Sequence, residues 1–505
     1  MRDTTAFSLM PVDCLYQGLS IDPQAIAAID GQRQLNYQEL TNQVESFALA
    51  LRQHCPKSAV IGLCAQNNLE HLVAFLAILV GGFTWVPINP KNGETLNRQL
   101  IKVAEPSLIL VDKKSENSLP PLAMQYWTLD GDEDNISQRS RHFFNQNFSR
   151  YRADGEEIMA IKFTGGTTGT PKGVVQTHNN VAAVIDSMQQ VFDFNHQDRN
   201  LAVAPLTHGG SHYVLPILAQ GGCHLLVSQP APEKIVDAFK HQRASVSFMP
   251  PTLIYKLIEQ PNICRSDFPH LRHLTYSAAP MPPERIVQVQ ALIGPRLSTV
   301  YGQTEAPMTI TALTADELAR PHLQESVGKA CRHSEVAILD QQGEQVTAGK
   351  IGEIAVRGKI VMPGYFNAPQ KTKSAFHQQW LLTGDLGLLD DNRYLFIKGR
   401  SKELIISGGF NVYPAEVENV LSEHPAICEC AVFGVADDYW GERVEAAICS
   451  HDNNLDEQQL SDFLKQRLGA VKTPKVFHRL EQLPRNPVGK VVRRDVQQLI
   501  ASKTI

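Results

Sequence analysis

"IMAIKFTGGTTGTPKGVVQTHNNVAAVIDSMQQVF", Ile158 to Phe192, passes through three textures in succession. "IMAIKFT" is an apolar run of strand length, and "NVAAVIDSMQQVF" spaces its apolar residues as a helix face does. Asn179 or Asn180 stands where a helix cap belongs. Between them "TGGTTGTPKG", Thr164 to Gly173, holds four glycines, four threonines, one proline and one lysine, and reads as a strand-to-helix loop. Glycine lets a backbone approach a ligand and turn its N–H groups inward, while threonine hydroxyls and the Lys172 charge add donors, a set suited to polyphosphate oxygens. The nucleoside triphosphatase loop needs glycine before its lysine, and Pro171 holds that place here. Composition alone leaves a flexible surface turn as the alternative.

Outward from this stretch, "SAVIGLCAQ", "SLILVD", "LAVAPL", "HLLVSQ", "ASVSFMP" and "HLTYSAA" alternate with amphipathic segments. That is the pattern of buried parallel strands with covering helices. It predicts an α/β fold over roughly the first three hundred residues. "SEVAILDQQGEQVTAGKIGEIAVRG" alternates with Gly-bearing turns and predicts a small antiparallel β unit. Near Gly399 the texture changes to the short strands "CECAVFGV" and "RVEAAICS" and the helices "PAEVENVLSEH", opened by Pro414, and "LDEQQLSDFLKQRLG". The expected organisation is a large multi-subdomain α/β domain over residues 1–398 and a small α+β domain over 399–505, joined at "GRSKE".

The 505 residues carry a net charge of −5 from 47 basic and 52 acidic side chains, which gives no footprint for nucleic acid. "LVAFLAILVGG" is too short to span a bilayer, and the first residues lack a basic region followed by a sustained apolar run. A cytoplasmic protein that does not engage a membrane is expected. Nine scattered cysteines resemble neither a disulfide framework nor a structural zinc site.

Four further motifs decide the reading of Thr164 to Gly173: "YGQTE" (Tyr301 to Glu305), "TGD" (Thr383 to Asp385), "GRSKELIISGGFNVYPAEVE" from Gly399, and "NPVGK" ending at Lys490. Each is weak by itself. In this order and spacing, over nearly the whole chain, the five resemble the adenylate-forming (AMP-binding) superfamily, which includes acyl- and aryl-CoA ligases, luciferases and peptide-synthetase adenylation domains. The resemblance implies a two-step ligase: a carboxylate attacks the α-phosphate of ATP and releases pyrophosphate, then a thiol takes the acyl group and releases AMP. Both steps build charge on oxygen, so positioning and charge stabilisation carry the catalysis.

By the resemblance, Thr164, Gly165, Gly166, Thr167, Thr168, Gly169 and Lys172 cradle the phosphates, and Glu305 with the Thr164 hydroxyl ligates Mg2+, a hard cation that takes oxygen donors. Tyr301, with Gly302 and Thr304 of the same motif, flanks the adenine, and Ser277, Ala278, Ala279 and Pro280 border the base. Asp385 accepts from the ribose hydroxyls, and Arg400 reaches the same sugar or its phosphate. Lys490 bridges carboxylate and α-phosphate in the first step. The small domain then pivots at Lys402, Gly408 and Gly409 line a channel for a pantetheine arm, and Trp440 contacts the thiol donor or simply packs.

"PLTHGGSHY" corresponds to the stretch that contributes the acid pocket, with His208 as its gate. The His208/His212 spacing would suit zinc on a helix, but Gly209 and Gly210 argue against a helix. Amino-acid-activating relatives carry an aspartate where Gly209 stands, so a carboxylic acid without an ammonium group is expected. Gly209, Gly210, Ser211 and Ala278 predict room for a ring or a medium chain. Two departures from the family pattern are Gly165 directly after Thr164, where a hydroxyl residue is frequent, and Thr207, where a bulkier one is usual. Coenzyme A is the first candidate for the thiol; the phosphopantetheine of an acyl carrier protein is the second, and a non-catalytic nucleotide-binding regulator is a third reading. The sequence does not address oligomeric state.

Overall fold

The computed structural model describes residues 7–121, 126–131, 135–164, 171–452, 455–486 and 491–503. Two large sheets organise the first part. One has nine strands, in the order Lys329–Ala330, Ala306–Leu313, Leu297–Gln303, His273–Tyr276, Val246–Met249, Arg199–Ala202, Cys223–Leu226, Ile26–Asp30, Arg33–Asn36. Its six inner strands, from Leu297–Gln303 to Ile26–Asp30, are parallel, and antiparallel strands close both edges. The other has six strands, in the order Tyr126–Thr128, Leu108–Val111, Val60–Cys64, Thr84–Pro87, Ile158–Thr164, Lys172–Thr177. Every apolar run read as a strand lies in one of these sheets, buried on both faces as parallel strands require.

"LVAFLAILVGG" belongs to the helix Leu69–Gly81, where every residue except Glu70 is buried. A helix that is apolar all round belongs in a core or a bilayer. Here it packs against the helix Tyr37–His54. No described helix is long and apolar enough to cross a membrane.

The opening stretch folds differently from its sequence reading. Ile158–Thr164 and Lys172–Thr177 are antiparallel partners, with Thr164 opposite Lys172. The Thr/Gly segment therefore connects the two strands of a hairpin, and the helix begins only at His178. "KGVVQT" hides as a strand because its apolar core is a Val-Val pair, too brief to show a period. The cap is Thr177, neither asparagine: the Asn180 N–H donates to Thr177 Oγ1 at 3.2 Å, and the Thr177 N–H donates to Asn180 Oδ1 at 2.9 Å. This is a reciprocal capping box in which asparagine fills the usual Glu/Gln place.

The predicted β unit is an antiparallel five-stranded sheet of Glu335–Leu339, Gly352–Arg357, Phe376–His377, Trp380–Leu389 and Leu395–Arg400. A further five-stranded sheet starts at Ile405 and is dominated by the hairpin Ile427–Asp437/Gly441–Ser450. The helices Pro414–Ser422, Glu457–Leu468 and Arg493–Lys503 accompany it, and Val417, Leu421, Val432, Val444, Ile448 and Leu460 centre a core of its own. All nine cysteines are free, and Cys264 alone is exposed. Among the described residues no group of three or more His, Cys, Asp or Glu side chains is arranged to hold a metal.

Candidate active site

Three of the motifs follow the carboxyl ends of parallel strands in the nine-stranded sheet. The chain to His208 leaves Arg199–Ala202, "SAAP" leaves His273–Tyr276, and "YGQ" ends Leu297–Gln303. Open α/β sheets bind ligands at this edge. Ala278, Ala279 and Pro280 are exposed there, and Ala278 adopts φ +73°, a conformation costly for a residue with a Cβ. Gly302 is required by close approach, since a Cβ would stand 2.3 Å from the Met308 nitrogen.

In the first cluster, Tyr301 donates its hydroxyl to Asp385 Oδ2 at 2.6 Å, and Arg400 Nε lies 3.0 Å from Oδ1. "TGD" reads as a turn when isolated but sits inside the ten-residue strand Trp380–Leu389, with Asp385 directly opposite Arg400 in the ladder. The Thr383 hydroxyl donates to the Ile354 carbonyl at 2.7 Å and accepts the Asp385 N–H at 3.1 Å. Burial, with Asp385 next, raises the Tyr301 phenol well above its ordinary pKa. Tyr301 therefore stays a donor and orients Asp385, whose remaining lone pairs are the acceptors a diol needs.

In the second cluster, Lys172 Nζ stands 4.9 Å from the centroid of the Tyr365 ring, and the Tyr365 hydroxyl donates to Glu305 Oε1 at 2.8 Å. Backbone pairing brings Tyr365 there: Val175 N–H donates to Gly364 O at 3.1 Å, and Phe366 N–H to Gly173 O at 2.7 Å. Glu305 is held from its own backbone too, its carbonyl accepting the Met362 N–H at 2.8 Å. The Thr304 carbonyl accepts from Gln176 Nε2 at 3.1 Å. Thr164, Lys172, Tyr365 and Glu305 thus form one chain of neighbours, and their oxygen donors fit a hard dication. Gly165, Gly166, Thr167, Thr168, Gly169 and Lys490 lie outside the described residues.

Sequence reasoning did not single out Tyr365. "MPGYFNAP" carries no periodic or motif signal, and only the tertiary pairing gives it a partner. If Glu305 ligates magnesium, loss of the partner that orients it, an effect of about 10- to 100-fold on metal affinity, is expected to raise the KM for Mg-ATP about tenfold in Tyr365→Phe. Steady-state kinetics at fixed free magnesium checks this, with the acid KM as the internal control.

At the third position, His208 Nδ1 lies 3.2 Å from Thr207 Oγ1 and 3.5 Å from Asn89 Nδ2. Burial first, then the Lys162 charge, lowers its pKa to about 4, so the imidazole is neutral. Gly209–Tyr213 form a 3-10 turn despite the two glycines. The turn is anchored by Ser211, whose N–H and hydroxyl donate to the His208 carbonyl at 3.2 and 2.7 Å. His212 does not pair with His208; its Nε2 accepts from Lys162 Nζ at 3.1 Å. The room predicted beside the glycines is filled by protein: a Cβ on Gly209 would meet the Phe248 ring at 2.6 Å, and one on Gly210 the Ala204 carbonyl at 2.4 Å. Lys162 also escaped the sequence reading, although it is the one charged residue in "IMAIKFT". Burial draws its pKa down to about 7.

Ser401–Glu403, with Lys402 at its centre, is a short 3-10 turn between the last strand of the β unit and Ile405–Ser407. Gly408 (φ +57°) and Gly409 (φ +81°) make the two-residue turn of the hairpin Ile405–Ser407/Phe410–Val412, a geometry that by itself calls for glycine. Trp440 packs against Gly408, where a Cβ would stand 2.9 Å from its ring, and its carbonyl accepts the Gly408 N–H at 2.8 Å.

Three clusters, around Asp385, Glu305 and His208, are where the sequence motifs meet in the fold. The family model of the AMP-binding enzymes matches residues 19–366, and that of the AMP-binding enzyme C-terminal domain matches 416–490. The chain belongs to the AMP-binding enzyme family, and within it to the adenylate-forming acyl- and aryl-CoA ligases. It is 30% identical to an indoleacetate–CoA ligase of Aromatoleum aromaticum, over 96% of this chain and 97% of that one. To a 2-succinylbenzoate–CoA ligase of Bacillus licheniformis it is also 30% identical, over 95% and 98%. Among solved structures, the amide bond synthetase McbA of Marinactinospora thermotolerans superposes with a TM-score of 0.88 at 28% identity, covering 97% of this chain and 99% of that one.

Proposed function

We propose that the protein joins a carboxylic acid lacking an α-ammonium group to the thiol of coenzyme A through an acyl-adenylate, with the three ends of the cleft in separate roles. The observation that carries this is the chain Thr164–Lys172–Tyr365–Glu305 at one end of a cleft whose other end holds Tyr301–Asp385–Arg400. A nucleoside triphosphate has the same polarity: charged oxygens at one end and a diol at the other.

In this reading Asp385 and Arg400 hold the ribose, Thr164 and Lys172 hold the phosphates, and Glu305 with the Thr164 hydroxyl holds Mg2+. Bound magnesium would offset phosphate charge that otherwise repels the incoming carboxylate. The carboxylate enters past the neutral His208, which adds a hydrogen-bonding face without a charge that would trap the acid in its ground state. Carboxylate oxygen bonds to the α-phosphorus, the bond to the β-phosphate oxygen breaks, and pyrophosphate leaves. Lys490, from the smaller domain, neutralises the charge that develops. The chain then turns at Lys402, just past the boundary between domains 1–398 and 399–505, so that a thiol can reach the acyl carbon and expel AMP.

Carboxylate-dependent pyrophosphate exchange across aromatic and aliphatic acids, followed by addition of CoA, tests the reading. Acyl-CoA with stoichiometric AMP is the expected result. AMP release without acyl-CoA would shift the acceptor to a carrier-protein pantetheine. No exchange with any acid would leave a nucleotide-binding regulator.

A further inference from the structure

A lysine buried in the middle of a strand is costly unless its donors are satisfied. Lys162 is 8% exposed, and Nζ donates to Ser211 Oγ and His212 Nε2, both at 3.1 Å. It stands 5.1 Å from the centroid of Trp85. Phe75, Met159, Val184, Ile185 and Leu215 surround the spot, and the cavity left there, about 10 Å³, has room for one water at most. No carboxylate is among these neighbours. The amine is therefore not half of an ion pair; it is a hydrogen-bond donor aimed at one turn.

That turn is the one presenting His208. Ser211 passes the contact on, its hydroxyl donating to the His208 carbonyl at 2.7 Å. Lys162 comes from the other sheet, two residues before Thr164 on the same strand, and side chains two apart in a strand share a face. One strand thus carries Thr164 at its phosphate end and, about 7 Å deeper, the donor that holds the acid end. Asn67 makes a second tie between the sheets, donating to the Ala202 and Ala204 carbonyls at 2.9 Å and accepting the Leu206 N–H at 2.9 Å. That tie fixes the approach to the turn; Asn89 lies 3.5 Å from His208 Nδ1 at its start, and Lys162 holds Ser211 and His212 within it.

We propose that Lys162 is a positioning residue for acid activation: through Ser211 and His212 it fixes the His208 turn relative to the strand that bears Thr164, and so sets carboxylate and α-phosphate in register. The proposal rests on the placement of the acid pocket at His208. It requires a specific kinetic signature, because loss of mutual orientation slows the chemical step while each substrate still binds.

Lys162→Met keeps the length and apolar stem and removes the donors. In carboxylate-dependent pyrophosphate exchange its kcat is expected to fall about 10- to 100-fold, with the KM for ATP within about twofold of wild type and the melting temperature preserved. Ser211→Ala, which retains the lysine, is expected to lose kcat in the same manner, and the double variant is expected to be no slower than the slower single one. A folded Lys162→Met with wild-type kcat overturns the proposal, as does one that loses kcat, ATP affinity and thermal stability together. If Lys162→Met does not fold, Ser211→Ala decides: an unchanged kcat refutes the relay. His208→Ala at wild-type rate refutes the acid-pocket reading and this proposal with it, whereas a slow His208→Ala beside an unimpaired Lys162→Met refutes the proposal alone.

Discussion

Lys490→Ala is expected to slow carboxylate-dependent pyrophosphate exchange about 10²- to 10³-fold, the loss that follows removal of one preorganised donor from a developing oxyanion. In the sequence it stands between Gly489 and the apolar Val491 and Val492. Ionic help is needed only while the carboxylate and the α-phosphate, both anionic, are being joined. The second step has no such meeting of anions. Purified acyl-adenylate supplied with CoA should therefore be consumed by the variant at close to the normal rate. A variant equally slow in both steps, or normal in the first, would contradict the assigned role.

Glu305→Gln is expected to lower kcat/KM for Mg-ATP by at least about 10²-fold, beyond the effect of Tyr365→Phe, because a ligand is lost rather than the group that orients it. The substitution isolates charge from shape. An amide carbonyl still accepts from the Tyr365 hydroxyl, and the backbone bond from Met362 is untouched, so the local geometry and the melting temperature should hold. Raising free magnesium should recover part of the rate. A variant whose activity is independent of magnesium and equal to wild type would remove Glu305 from the metal site.

The two expectations are distinguishable by the magnesium response. Lys490→Ala lowers the rate at every magnesium concentration, since it acts on bond formation. Glu305→Gln moves the concentration at which magnesium saturates.

Sequence alone determined the layered α/β organisation, the small β unit and the change of texture near Gly399, because each rests on a local period of hydrophobicity that burial on one or two faces enforces. It also pointed to Tyr301, Glu305, Asp385, Arg400 and Lys172 through five short motifs in order, and to His208 through "PLTHGGSHY". It misread the Thr164–Gly173 connection as leading into a helix, since two valines are too few to show a strand's period, and it took the glycines beside His208 for open space that Phe248 and the Ala204 carbonyl fill. Tyr365 and Lys162 were invisible to it. Tyr365 acquires Glu305 only when its segment pairs with Lys172–Thr177, and Lys162 acquires the His208 turn only when that turn packs against the strand Ile158–Thr164 of the other sheet. Local pattern records which side of an element is buried; which polar groups then meet across that burial depends on contacts 49 and 60 residues apart in the chain, and those the tertiary fold alone decides.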